Sequence, residues 1–140
     1  MPKFGKASLQ RREFLCKDLR SLVDAVIKVY DFSIIETHRD RTEQERCYNT
    51  GVSKAHFGES AHNYNPSFAM DVYPYPVPRK QINGVVQIDS NSSEWNRMGQ
   101  IFKDMAENLG IELEWGGDWK KLVDKPHFQI KGWKTKVKEI

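Results

Sequence analysis

The sequence predicts an α+β fold, with a small, mostly antiparallel sheet and helices packed on it. Two stretches carry apolar residues three and four positions apart, the spacing of one helix face. Several short stretches, rich in β-branched or aromatic residues, have the length and composition of strands. Helices and strands do not alternate as in parallel α/β proteins, which favours antiparallel pairing. The 140 residues, 39% of them hydrophobic, suit one core, so we expect a single domain over residues 1–140.

The first part of the chain is predicted to contain a long helix, a strand and a short helix. Ser8 is a plausible N-cap for a helix over residues 9–31. The apolar face of that helix comprises Leu15, Leu19, Leu22, Val26 and Tyr30. Residues 32–36 form a predicted strand, and the capping box at residues 40–43 predicts a short helix that ends at Gly51.

The middle of the chain is predicted to be a loop, a strand and a hairpin. The loop covers residues 52–68, and the strand over residues 68–73 is ended by three prolines, which cannot donate to a strand ladder. The Asn83-Gly84 pair tolerates the positive φ values of a type I′ turn, so residues 81–86 predict a small hairpin.

A second helix and two strands are predicted to complete the domain. Residues 91–94 have the pattern of a capping box, and apolar residues then recur at helical spacing until Gly110. Strands over residues 112–115, which include Glu114 as an ordinary strand residue, and 127–130 follow around a Gly-Gly turn. The basic run over residues 131–138 is expected to be a solvated last strand or tail.

Charge and composition exclude several classes of function. The net charge of +3 is too mild to require a nucleic-acid partner. Cys16, expected to be a small buried residue, and Cys47 lie too far apart to build a CxxC redox or metal motif. We expect no membrane insertion and synthesis in the cytoplasm, because no signal-peptide core or apolar stretch of about 18 residues is present.

The candidate chemistry is that of a zinc hydrolase. His62, Asp71 and His127 could hold one zinc ion and leave a fourth position open for water, the ligand count of a catalytic site. Asp124 could take a proton from the attacking water and pass it to a leaving amine. Arg39 could stabilise the developing oxyanion, although a surface arginine in a charged stretch explains its position equally well.

The remaining histidines, His38 and His56, are interpreted as surface or core residues. Each candidate pairing, such as His62 with Asp71, is weak evidence alone. Together the candidates supply the ligands and the base that zinc hydrolysis needs.

The motifs around these residues resemble the zinc D,D-peptidase clan, which shares its fold with hedgehog domains, and more narrowly the phage endolysins that are L-alanyl-D-glutamate peptidases. The motifs are Ser60-x-His62, Ala69-x-Asp71, Trp115-Gly116-Gly117-Asp118-Trp119 and Asp124-x-Pro126-His127-Phe128. Upstream, Arg39, Gln44 and Gly51-Val52-Ser53-Lys54 are similar to further family positions. The resemblance covers about residues 33 to 130.

The resemblance implies that His62, Asp71 and His127 bind Zn²⁺, that Asp124 is the catalytic base and that Arg39 stabilises the tetrahedral intermediate. The usual central motif of the family is Ser-x-His-x-x-Gly-x-Ala-x-Asp. This chain has two extra residues between His62 and Ala69, and it lacks the glycine. The base is Asp124 where carboxypeptidases and dipeptidases of the clan carry Glu, which favours the endopeptidase branch.

The expected substrate is therefore peptidoglycan, with Ser60, Trp115 and Trp119 as candidates for the wall of an open groove. We expect a monomeric endolysin without a separate cell-wall-binding module, made in the host cytoplasm and acting on the wall after the membrane is breached. One alternative keeps the site and makes the chain a D,D-carboxypeptidase or dipeptidase. Another is a binding module in which zinc is structural.

Overall fold

The α+β class is confirmed by the computed structural model, which describes residues 2–137. Its helices are α1 (Lys6–Arg12), α2 (Lys17–Val26), α3 (Arg41–Asn49), α4 (Ser93–Leu109) and α5 (Trp133–Lys136). Its strands are β1 (Phe32–Glu36), β2 (Ala69–Pro74), β3 (Arg79–Ile82), β4 (Val85–Ile88), β5 (Leu113–Trp115) and β6 (His127–Ile130). Short 3-10 turns occur at Ala61–Asn63 and Gly116–Asp118. No helix among the described residues is long and apolar enough to cross a membrane.

The central sheet has the strand order β1-β2-β6-β5, and every neighbouring pair is antiparallel. Asp71 lies opposite His127 across β2 and β6, and Glu114 lies opposite Gln129 across β5 and β6. Successive residues of a strand face opposite sides of a sheet. The register therefore places these four polar residues on one face.

The other face of the sheet forms the core with α2 and α4. Met70 and Phe128 are fully buried there, and the Phe128 ring lies 4.6 Å from the ring of Phe102 on α4. The apolar stripe predicted for the first helix supplies the buried side of α2, including Leu19 and Leu22. The core thus holds β2 and β6 at their centres, next to the metal-ligand candidates.

The single helix predicted over residues 9–31 is wrong, because the chain forms two helices, α1 and α2, with a break at residues 13–16. Ser8 does not cap α1, whose N-cap is Gly5. The buried hydroxyl of Ser8 instead accepts a hydrogen bond of 2.9 Å from the backbone N–H of Ile34. The guanidinium of Arg11 donates to the carbonyl oxygen of Ile34, also at 2.9 Å. Both bonds lie on the outer edge of β1.

The other predicted elements differ little from the observed ones. Asp40 caps α3 by accepting from the N–H of Glu43, and Gly51 follows that helix with a φ of 78°. The cap of α4 is Ser92 rather than Asn91, because the Ser92 hydroxyl accepts from the N–H of Glu94. Gly110 ends α4 in the left-handed conformation, as predicted.

The hairpin of β3 and β4 is a separate two-stranded sheet, as the Asn-Gly pair predicted. Asn83 and Gly84 have φ values of 51° and 77°. In the described part of the basic run, residues 131–137, no strand forms. Residues 133–136 form α5, and the buried Trp133 packs with its ring centre 5.7 Å from that of Tyr64. The end of the basic run, Lys138, lies outside the described residues.

Candidate metal centre and active site

His62 is held in a 3-10 turn whose cap is Ser60, and its ring is oriented by a backbone carbonyl. The Ser60 hydroxyl accepts from the N–H of His62 at 3.2 Å. The ring Nδ1 lies 2.7 Å from the carbonyl oxygen of Thr37. Because a carbonyl only accepts, Nδ1 carries the proton and Nε2 presents a bare lone pair. His62 is 2% exposed, so this lone pair points into the protein.

Asp71 on β2 and His127 on the neighbouring strand β6 lie close to that lone pair. Asp71 Oδ1 lies 3.1 Å from His127 Nδ1 and 3.4 Å from His62 Nε2. One ligand atom from each of the three residues lies within 4.8 Å of the others. The antiparallel register and the 3-10 turn therefore bring together the three ligands expected from the sequence.

The three residues fit a divalent metal ion. His62 Nε2 is buried and, among residues 2–137, has no hydrogen-bond partner despite its closeness to Asp71. Leaving a buried polar atom unpaired costs about 1–3 kcal/mol, so binding of a partner at this atom would be favourable. Two imidazoles and a carboxylate are donors that zinc accepts readily. A cation between them would satisfy all three groups.

Electrostatics in this cluster favour an ionised Asp71. Burial alone would raise the pKa of Asp71, but the hydrogen bond with His127 and the closeness of the His62 ring outweigh it and lower the pKa below its ordinary value. Burial works against a charged His127, yet the hydrogen bond to Asp71 leaves its pKa raised. The carboxylate is thus negative at neutral pH, as a metal ligand must be.

Asp124 lies at the edge of the same cluster, fixed by its backbone. Its N–H donates to the carbonyl oxygen of Gly116 at 2.9 Å, and its own carbonyl accepts from the N–H of His127 at 3.1 Å. A Cβ at position 116 would collide with the Asp124 carbonyl, so the first glycine of Trp-Gly-Gly-Asp-Trp is needed for this close approach. Burial and the negative charge of Asp71 raise the pKa of Asp124.

Arg39 is buried beside the cluster, so its interpretation as a surface arginine is wrong. Its backbone N–H donates to the carbonyl of His62 at 2.7 Å. Its guanidinium forms a bidentate pair with Glu36, at 2.6 and 3.0 Å, and donates to Gln44 Oε1 at 3.0 Å. The fully buried Gln44 also accepts from the side chain of Asn63. One network therefore joins Arg39 to the turn that carries His62.

A sequence model of the family described as phage L-alanyl-D-glutamate peptidase matches residues 1–132. The chain belongs to this family.

Relatives with known sequences and structures agree with that assignment. Over 118 residues, the chain is 33% identical to the peptidoglycan L-alanyl-D-glutamate endopeptidase CwlK of Bacillus subtilis (strain 168). The match covers 76% of this chain but only 64% of CwlK, so the chain spans less than two thirds of that relative. The fold is similar to the crystal structure of the L-Ala D-Glu endopeptidase ChiX of Serratia marcescens. The TM-score is 0.73 at 26% identity, over 95% of this chain and 93% of ChiX.

The loop in which this chain departs from the usual family motif is anchored firmly. Ser67 is fully buried, and its N–H donates to the carbonyl of Phe14 at 2.6 Å. The N–H of Cys16 in turn donates to the carbonyl of Ser67 at 2.9 Å. The longer loop is thus bound to the segment between α1 and α2, and β2 still brings Asp71 to the two histidines.

The three residues predicted to contact substrate have different surroundings. Ser60 is partly exposed at the start of the His62 turn, and Trp119 is partly exposed with its ring centre 5.3 Å from that of His127. Trp115 is 6% exposed, its indole donates to the carbonyl of Lys125 at 2.7 Å, and its ring stacks on Phe128. The prediction that Trp115 forms part of a groove wall is therefore wrong, because this side chain belongs to the core.

A cavity of about 400 Å³ adjoins Asp124 on the side of the hairpin. Its lining includes Tyr73 and Ile88, together with Ser90, Trp95 and Lys125. No sequence motif indicates it, because it forms between β2, the start of α4 and the segment before β6. A peptide bound at the three metal-ligand candidates could extend into this cavity.

Three residues behind the histidines were not identified as site residues from the sequence. The Thr37 carbonyl orients His62, Gln129 contacts His127, and Glu114 contacts Gln129. Gln129 Oε1 lies 2.7 Å from His127 Nε2, and Gln129 Nε2 donates to Glu114 Oε1 at 2.5 Å. The available signal was the alternation of β6, which places residue 129 on the same face as residue 127.

The other histidines stay outside the cluster. The His38 ring stacks 6.1 Å from that of Phe14. His56 is exposed, with its Nδ1 3.1 Å from Glu45. Neither belongs to the group that could hold a metal ion among the described residues.

Proposed function

We propose that this chain is a zinc-dependent peptidase that hydrolyses the bond between L-alanine and D-glutamate in peptidoglycan stem peptides. The proposal depends on one observation in a member of this family: the buried Nε2 of His62, which faces Asp71 and His127, has no hydrogen-bond partner within residues 2–137. The names of CwlK and ChiX both give the same scissile bond. Asp124 and Arg39 beside the cluster supply the acid–base and charge-stabilising groups that peptide hydrolysis needs.

His62, Asp71 and His127 would hold the zinc ion. When bound, zinc polarises a carbonyl and lowers the pKa of water to roughly 7. The Thr37 carbonyl orients His62, and the pairing of β2 with β6 positions Asp71 and His127. Such preorganisation keeps the reacting groups in place without reorganisation during the reaction.

Asp124 would act as the general base. Its carboxylate would accept a proton from the attacking water as the water oxygen bonds to the alanine carbonyl carbon. The same proton would then pass to the nitrogen of D-glutamate as the C–N bond breaks. The raised pKa of Asp124 suits the first step, because a group that holds a proton more readily is a better base.

Arg39 would stabilise the oxyanion that develops on the alanine carbonyl. The bonds to Glu36 and Gln44 use one hydrogen on each terminal guanidinium nitrogen, and each of these nitrogens carries a second hydrogen. Because Glu36 offsets the arginine's positive charge, we assign the effect to N–H donation in a fixed direction.

The substrate would lie in the open region around Trp119 and Ser60 and extend toward the cavity beside Asp124. Trp119 offers an aromatic face next to His127. We propose a monomeric endolysin that is made in the host cytoplasm and acts on the wall after the membrane is breached. The family description supports a phage origin.

The test is a digest of purified peptidoglycan analysed by mass spectrometry, with and without a metal chelator. We expect stem peptides that begin with D-glutamate, no products in chelator, and recovery on adding zinc. His62→Ala should lose bound zinc and cleavage, whereas the matched control His56→Ala should keep both, because His56 lies outside the cluster.

The same digest separates the competing functions. Release of terminal D-alanine would indicate a D,D-carboxypeptidase and overturn the endopeptidase assignment. Zinc-loaded protein that leaves the wall intact would indicate a binding module with structural zinc.

A further inference from the structure

Four polar side chains form a continuous row across the face of the sheet that carries the metal-ligand candidates. The row runs from Asp71 on β2 through His127 and Gln129 on β6 to Glu114 on β5. The side-chain distances along it are 3.1, 2.7 and 2.5 Å. The last two members lie outside the proposed ligand set, and nothing in the proposed reaction uses them.

The position of one hydrogen on His127 decides whether this side chain can bind a metal. A neutral imidazole carries a proton on one nitrogen only, and the other presents a lone pair. His127 Nδ1 faces Asp71 and the His62 lone pair, so it is the atom placed to ligate. Ligation therefore requires the proton on Nε2, where Gln129 is the neighbour.

Gln129 alone cannot select that tautomer. A primary amide can turn either its oxygen or its NH₂ group toward the imidazole, and the two ends have nearly the same size. Turning the NH₂ group toward His127 would favour a proton on Nδ1, which blocks ligation. A further group has to fix the amide.

Glu114 is that group, since a carboxylate offers acceptors only. It accepts from the NH₂ group of Gln129, which leaves the amide oxygen facing His127 Nε2. We propose that Glu114, acting through Gln129, is a positioning residue that keeps a hydrogen-bond acceptor at His127 Nε2, so that the imidazole keeps its proton there when Nδ1 gives up the proton that bonds to Asp71 and binds the metal ion. This inference rests on the proposed metal site.

The tautomer of His62 is also fixed by a hydrogen-bond partner, but this partner is a backbone group. The Thr37 carbonyl that fixes the His62 tautomer is a backbone group and cannot turn over. The His127 side of the site uses a reversible amide, so it needs a second residue to set direction. Hydrogen-bond partners behind metal-ligating histidines commonly change metal affinity by about 10–100-fold when they are replaced.

The first test replaces Glu114→Gln, which keeps the size and the cross-strand bond but adds a donor. We expect zinc affinity, measured by competition with a chromophoric chelator, to fall by about tenfold or more. The matched control is Glu112→Gln, which removes the same charge from an exposed position two residues earlier and should bind zinc as wild type does. Thermal melts of the metal-free proteins check that both variants fold.

A spectroscopic readout separates positioning from a simple loss of negative charge. In zinc-loaded protein, ¹⁵N–¹H spectra should show the Nε2–H of wild-type His127 hydrogen-bonded and protected from exchange with water. Glu114→Gln should weaken this protection, because the Gln129 amide can then turn its NH₂ group toward Nε2, an effect that loss of charge alone would not produce. Exchanging the two groups in the double variant Glu114→Gln/Gln129→Glu restores the direction of the row, and we expect both the protected Nε2–H and the zinc affinity to recover.

Two results would overturn the inference while leaving the metal site intact. One is a zinc affinity of Glu114→Gln equal to that of Glu112→Gln, and the other is a His127 Nε2–H that exchanges with water as freely in the zinc-loaded wild type as in Glu114→Gln. If His62→Ala instead bound zinc as tightly as the wild type, the proposed metal site would be wrong, and so would the inference that rests on it.

Discussion

The two faces of the central sheet are built from the same strands and are opposite in chemistry. On one face Met70 and Phe128 are fully buried against α4. On the other, Asp71 and His127 alternate with them residue by residue. Residues that are neighbours in the sequence thus have different roles. The buried side chains fix the positions of the strands, and the polar side chains on the opposite face form the candidate site.

The two faces also differ in how well their groups are satisfied. The core face is packed and apolar, which stabilises the fold. Beside the site face, His62 has a buried nitrogen that is unpaired in the described part of the chain, and Asp124 has a carboxyl group that is harder to ionise than usual. We therefore expect substitutions on the site face to remove activity at little cost in stability, and those on the core face to do the reverse.

The largest effect is expected for Asp124→Ala. Loss of a general base should lower the rate of stem-peptide cleavage by about 10²–10⁴-fold, with zinc content and thermal stability retained. Asp118→Ala is the control, because Asp118 is exposed in the same segment and pairs with Lys103. Cleavage by the Asp124 variant at the wild-type rate would rule out the base.

Phe128→Ala tests the opposite face. Removing a fully buried ring that packs on Phe102 should lower the free energy of unfolding by about 3–5 kcal/mol, as measured in urea. Val86→Ala, a truncation in the hairpin at a side chain that is 56% exposed, should change it by about 0.5 kcal/mol or less. Equal losses in the two variants would contradict the view that the sheet's buried face positions the site.

Arg39→Lys keeps the charge and removes the planar group that pairs with Glu36 and Gln44. If directed N–H donation is what Arg39 supplies, cleavage should slow by about 10²–10³-fold. Arg46→Lys is a close control, since Arg46 also pairs with a glutamate three residues earlier but is exposed. A lysine at position 39 that supported full activity would show that charge alone suffices.

The smallest effect is a dependence of stability on pH that belongs to Asp124. Because its pKa is raised in the folded protein, the folded state holds this proton to higher pH than the unfolded state. Ionised Asp124 therefore destabilises the fold at neutral pH, and this penalty disappears below the ordinary carboxyl pKa of about 4.

Asp124→Asn should consequently gain stability relative to wild type as the pH rises from about 4 to 7 in metal-free protein. Urea denaturation at several pH values measures this difference, with Asp118→Asn as the reference. A difference that stays constant with pH would mean that Asp124 titrates normally.

Local patterns predicted most single elements of this fold. The strand at Phe32–Glu36, the turn at Asn83-Gly84 and the Gly110 end of α4 are each encoded within a few residues. The break between α1 and α2 was missed because its cause is tertiary. The segment at residues 13–16 hydrogen-bonds to Ser67, which the sequence places far away.

The site was predicted as a set of residue types rather than as a geometry. The motifs identified His62, Asp71 and His127, which the structure brings together. They gave no information on the register between β5 and β6, which buries Trp115 and places Glu114 beside Gln129. Cross-strand register across a loop of this length depends on packing, so no pattern in either strand reveals it.

The outer edge of β1 bears on how the protein behaves at high concentration. An unpaired strand edge invites another chain to add to the sheet, which begins aggregation. Here Ser8 accepts from the N–H of Ile34 and Arg11 donates to its carbonyl, so side chains of α1 occupy the edge groups that an incoming strand would need. The first helix thereby protects this part of the sheet edge from self-association.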